Sequence, residues 1–156
     1  MIARRAAPDD AAEMARIYNQ GIEDRIATFE TRPRSAEDAA AWLSFPAAVV
    51  EEDGRVIAFA SSSAYSARAC YSHIAEFSVY TARESRRRGA GRAALLELMR
   101  LARESGLQKL VSRVLVENSA SRALLLKVGF REVGVHLRHG ILDGHWRDVV
   151  VVEILL

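Results

Sequence analysis

The chain has 156 residues, 50% of them hydrophobic and 27% charged, which suits one domain over 1–156 with a substantial core and argues against disorder. A net charge of +2 is too mild to imply nucleic acid as a partner. The single cysteine, Cys70, excludes an internal disulfide and fits a reducing compartment. The longest apolar run, Val149–Val152 and Ile154–Leu156 interrupted by Glu153, falls far short of the ~20 residues a membrane span needs. The first ten residues lack the apolar core of a signal peptide, so no membrane partner and a cytoplasmic location are expected.

Ile2 to Ala6 reads as a short strand. Pro8, Asp9 and Asp10 then start a helix whose apolar face is Ala11, Met14, Ala15, Ile17 and Tyr18, with the acids favoured by the helix dipole. Residues 19–34 hold no firm period and read as a helix end and a loop over a cleft. Ser35 with Asp38 reads as a capping box for a short helix carrying Trp42 and Leu43. Asp53-Gly54 between two apolar runs is the clearest hairpin signal, and its second strand passes through Val56, Ala58 and Ala60. Lys109 to Val116 reads as another strand, followed by a helix capped by Asn118 or Ser119 and ended by Gly129. Arg131–His139 and His145–Ile154 form a last hairpin about Asp143-Gly144. The expected class is α+β, with a mixed, mostly antiparallel sheet flanked by helices.

Residues 74–105 organise the rest. A strand carries Ile74, Glu76, Ser78 and Tyr80 on one face, with Phe77 and Val79 on the other. It enters the turn Arg86-Arg87-Arg88-Gly89-Ala90-Gly91, which opens a helix with Ala94, Leu95, Leu98, Met99 and Ala102 on one stripe. Free amides at that helix start carry partial positive charge, and the glycines allow close approach, so the turn reads as a pyrophosphate cradle. A solvated charged turn is the bland alternative. Gly91-Arg92-Ala93 is not Walker A, and two mid-chain glycines do not make the dinucleotide fingerprint. Glu76, midway along an apolar strand, is either solvated, paired with an arginine such as Arg68 or Arg83, or functional.

Arg86-x-x-Gly89-x-Gly91 between strand and helix resembles the coenzyme-A loop of the GCN5-related N-acetyltransferases. Asn118 with Gly129-Phe130 is similar to that family's second signature. A narrower likeness runs along nearly the whole chain: Ile17–Glu30, Arg68–Tyr71, Ala75–Tyr80 and His139–Val149 resemble the phosphinothricin and arsinothricin N-acetyltransferase branch. The resemblance implies the GNAT fold, acetyl-CoA as cosubstrate, no metal, and an acetyl acceptor that is a glutamate-like amino acid bearing a phosphinate, arsinate or sulfoximine. It also implies a homodimer.

Carried onto this chain, the resemblance makes Glu76 the general base that frees the acceptor amine. It assigns the pantetheine arm and thioester to the strand at Phe77, Val79 and Tyr80, and the phosphates to Arg86, Arg88, Gly89, Gly91 and Arg92. Asn118 holds the pantetheine arm, caps its helix, or does both. Arg68 would pair with a substrate oxyanion, Thr28, Phe29 and Tyr71 would wall the pocket, and His139 would touch substrate or carry a proton. Phe29 reads equally as a loop residue pinned to the core. Where many members place a tyrosine acid this chain has Leu125, and Ser66 stands where relatives often carry a basic residue. A thiol of pKa ~8.5 can leave unaided, or another donor serves. Two rival functions remain: a protein or peptide N-acetyltransferase, and a non-catalytic acetyl-CoA-binding protein.

Overall fold

The structure is a computed structural model and describes residues 1–156. Its seven strands form one sheet in the order β1-β2-β3-β4-β5-β7-β6. They are β1 (Ile2–Arg5), β2 (Ala47–Glu52), β3 (Arg55–Ala64), β4 (Ile74–Thr81), β5 (Lys109–Leu115), β6 (Arg131–Leu142) and β7 (His145–Leu155). All neighbours are antiparallel except β4 and β5. The helices are α1 (Ala11–Asp24), α2 (Ala36–Ala40), α3 (Ala90–Glu104) and α4 (Ser119–Val128).

Turn chemistry sets the two hairpins. Asp53 and Gly54 sit at φ 51° and 74°, and Asp143 and Gly144 at φ 51° and 78°. Two successive positive-φ residues give the twist that matches flanking strands, and Asp-Gly adopts them at little cost. Ser35 caps α2, its hydroxyl accepting from the Asp38 amide while the Asp38 carboxylate accepts from the Ser35 amide. Asn118 caps α4, its side-chain oxygen accepting from the Ser121 amide, and Gly129 ends that helix at φ 112°.

Alternation along β4 divides the core. Phe77 faces α3 and α4, joining Leu95, Leu98, Leu110 and Leu125 in the larger apolar cluster, and its ring lies 4.8 Å from that of Phe130. Tyr80 faces the opposite side, where α1 packs Met14 and Ile17 against Val49 and Phe59 of β2 and β3. Trp42 and Leu43, in a short 3-10 turn after α2, cover the edge of this second cluster. Truncating a fully buried leucine such as Leu98 would cost about 2–5 kcal/mol.

The parallel pair positions the site. β4 and β5 are registered only over Ile74↔Lys109, Ala75↔Leu110 and Glu76↔Val111. Beyond Glu76 they diverge, and the hydroxyl of Ser112 donates to the Phe77 carbonyl at 2.9 Å where the gap begins. No helix of the protein is long and apolar enough to cross a membrane.

Candidate active site

The diverging strands open into a cleft of about 1440 Å³, larger than the ~300–1,000 Å³ of a usual small-molecule pocket and roomy enough for two substrates. A strand residue's N–H and C=O point to the same side. Because the Phe77 carbonyl faces β5, Val79, two residues on, turns its own N–H and C=O into the gap where β5 no longer pairs. The Val79 side chain meanwhile packs on the α3-side core.

One end of the cleft is the start of α3. Gly89 is its N-cap at φ 87° with no side-chain cap, so the first-turn amides are left for a ligand. A β-carbon on Gly91 would come within 2.9 Å of the Thr81 hydroxyl, so glycine lets the helix start seat against the end of β4. Arg86, Arg87, Gly89, Gly91 and Arg92 line the cleft. Arg88 does not; its guanidinium donates to Glu52 at 2.9 Å, on the β2–β3 hairpin. Arg87, at φ 62°, takes the place on the cleft wall that the sequence reading gave to Arg88. Nothing in a run of three arginines indicates which of them line the cleft and which one turns away.

Arg86 is also engaged, donating to Asp24 at the end of α1, which accepts from Arg83 as well. Burial raises the Asp24 carboxyl, but hydrogen bonds from Arg83 and Arg86 outweigh it and hold the group below the usual carboxylate range. The donor set at this end, free amides beside guanidinium groups, suits the phosphates of a coenzyme A.

Glu76 lies where the strands begin to part and lines the cleft. Its Oε1 accepts from Nη2 of Arg113 at 2.9 Å. The ion-pair partner is thus neither Arg68 nor Arg83, the two arginines the sequence suggested; Arg83 pairs with Glu23 and Asp24 instead. Arg113 escapes sequence reasoning because the strand pairing, not proximity in the chain, brings it to Glu76.

Thr28, Phe29 and His139 line the cleft together with Tyr80. Phe29 packs on Gly140 of β6, and Arg25 reaches Asp143 at 3.5 Å, so the loop after α1 is tied to the last hairpin. His139 stacks on His136, ring centroids 4.2 Å apart, at a bulge where Arg138 takes φ 49°. The Tyr80 ring lies 5.0 Å from Tyr18 and 5.5 Å from Phe59, and burial pushes its phenol well above the ordinary range, with Thr28 opposing. Arg68 and Tyr71 do not line the cleft; both are exposed, with the Arg68 guanidinium 5.7 Å above the Tyr71 ring. Leu125 is 1% exposed and carries no proton to give. Asn118 lines the cleft while capping α4, so both roles considered for it are geometrically open.

Residues 13–130 match the family model described as acetyltransferase (GNAT) family. The chain is 28% identical, over 100% of its length and 95% of the relative's, to the L-methionine sulfoximine/L-methionine sulfone acetyltransferase of Salmonella typhimurium. Among solved structures it superposes with TM-score 0.90 on a phosphinothricin acetyltransferase from Sinorhizobium meliloti in complex with acetyl-CoA (28% identity, 99% of this chain, 88% of that one). It also superposes with TM-score 0.94 on a ribosomal-protein-alanine N-acetyltransferase from Brucella melitensis (31% identity, 100% of both chains).

Proposed function

We propose that this chain, which belongs to the acetyltransferase (GNAT) family, acetylates the α-amine of a glutamate-like amino acid such as phosphinothricin, arsinothricin or methionine sulfoximine. Family membership makes it an N-acetyltransferase with acetyl-CoA as donor. The acceptor is the proposed part, along with a detoxifying role in the cytoplasm. The observation that carries it is a single cleft joining the uncapped start of α3 to Glu76, with Thr28, Phe29 and His139 along the wall.

In this reading the amides of Gly89 to Arg92, with Arg86, Arg87 and Arg92, bind the phosphates of the cosubstrate. The Val79 carbonyl, turned into the gap, accepts from the pantetheine arm as it would from an added strand. An α-amine of pKa about 7.7–8.0 or higher is mostly protonated near neutral pH, so Glu76 takes its proton, directly or through a water, before attack on the thioester. The Val79 N–H faces the oxyanion that develops. The coenzyme thiolate leaves without a tyrosine acid, since Leu125 holds that position. Exposed Val135, Leu137, Ile141 and Trp146 on the last hairpin support a homodimer, to be read by light scattering.

The test is thiol release from acetyl-CoA with phosphinothricin, arsinothricin, methionine sulfoximine and glutamate as acceptors. A clear kcat/KM preference for one of the three analogues over glutamate is expected; equal rates, or none, would sink the proposal. Likeness to the Brucella melitensis protein favours a second reading, transfer to a protein N-terminus. A peptide panel in the same assay decides between them.

A further inference from the structure

We infer that Arg113 binds the α-carboxylate of the acceptor, so that the Glu76–Arg113 pair as a unit recognises a free α-amino acid. The inference rests on the proposed acceptor class and adds how the site reads it. Glu76 pairs in register with Val111, and Arg113 lies two residues further along β5, hence on the same sheet face as Glu76. At that point β5 has already left β4. Arg113 therefore stands on the far wall of the cleft and reaches back across the gap to the carboxylate.

That hydrogen bond uses one of the guanidinium's five donors, and the Arg113 side chain is 54% exposed. A pair so open to water contributes ~0–1 kcal/mol to stability, too little to explain its place at the mouth of the gap by folding alone. The other cleft arginines have different surroundings. Arg34 is tied to Glu30, Arg86 to Asp24, and Arg87 and Arg92 belong to the start of α3. Arg113 is the cation beside the proposed base.

An α-amino acid carries its ammonium and carboxylate on one carbon. Glu76 and Arg113 present the opposite charges side by side, 2.9 Å apart. An amine placed at Glu76 thus brings its own carboxylate within reach of the donors that Arg113 has spare. A peptide N-terminus offers the same amine but a neutral amide where the carboxylate would be, and leaves those donors unmatched. The pair therefore separates free amino acids from protein N-termini by charge.

The experiment measures kcat/KM for methionine sulfoximine and for its α-carboxamide, with wild type, Arg113→Gln and Arg113→Lys. Loss of the arginine also strips Glu76 of its partner, but that change acts on acid and amide alike and cancels in their ratio. Arg113→Gln should reduce the acid-to-amide preference about ten- to a hundredfold, chiefly through the acid's KM, with the acid's kcat/KM falling by at least that factor. Arg113→Lys should restore part of it, and calorimetry with coenzyme A should show each variant folded and binding as wild type. Equal losses on acid and amide, or an unchanged ratio, would overturn the role of Arg113 while leaving the proposed acceptor standing. Wild type that acetylates peptides but no free amino acid would overturn both.

Discussion

The ring of Phe29 and the α-carbon of Gly140 are packed so closely that a β-carbon on Gly140 would lie 2.6 Å from the ring. Space, rather than a special backbone angle, is what glycine supplies here. This contact and the Arg25–Asp143 pair hold the loop after α1 against the β6–β7 hairpin, where Thr28, Phe29 and His139 share one wall. Gly140→Ala should displace the ring and raise the acceptor KM several-fold while leaving coenzyme A affinity unchanged, with an overpacking loss of about 1–3 kcal/mol in urea denaturation. An acceptor KM that stays put would assign Phe29 to pinning the loop and nothing more.

Glu76→Gln keeps the shape of the side chain and one acceptor oxygen for Arg113, but cannot take a proton. A positioned general base contributes ~10²–10⁴-fold, so kcat should fall by that order while coenzyme A binds as before in calorimetry. Near-normal turnover would leave the Glu76–Arg113 pair as a recognition element only.

Gly89→Asp joins two penalties at the start of α3. An L side chain at φ 87° is strained, and a carboxylate beside the first-turn amides repels phosphate. Coenzyme A affinity should drop at least tenfold by calorimetry. Gly89→Ala, which carries the strain without the charge, should lose less; equal losses would place the phosphates elsewhere.

Local chemistry made much of this molecule legible from its residues. Asp53-Gly54, Asp143-Gly144, the Ser35–Asp38 box and the cap at Asn118 each act over a few residues, and each stands where the sequence reading put it. The strand–turn–helix of residues 74–105 was equally plain, because alternation in β4 and the helical stripe of α3 are visible in the residues alone. Other features depend on which strands become neighbours. The Glu76–Arg113 pair needs the parallel β4–β5 register, and the Phe29–Gly140 contact joins the first and last thirds of the chain. Among Arg86, Arg87 and Arg88, the first two line the cleft and the third pairs with Glu52, a division set by the path of the backbone through the turn, where Arg87 takes φ 62°.

The acid side of the stability profile should report on Asp10. This carboxylate is 6% exposed and accepts from Nη1 and Nη2 of Arg4 at 2.8 and 2.9 Å and from the Ala7 amide at 2.8 Å. The bonds from Arg4 do most to hold it below the usual carboxylate range, against the burial that works the other way. A carboxyl lowered on folding stabilises the fold fully above its unfolded value of about 3.9, and that contribution is lost as pH falls through the folded value. Asp10→Asn lacks the charge, so it should be less stable than wild type by about 1.5–3 kcal/mol at pH 7. The gap should narrow steadily in urea denaturation between pH 5 and pH 3, because only wild type has an ionised group at this position to lose. A gap that stays constant across that range would mean Asp10 contributes its shape and neutral hydrogen bonds rather than its charge.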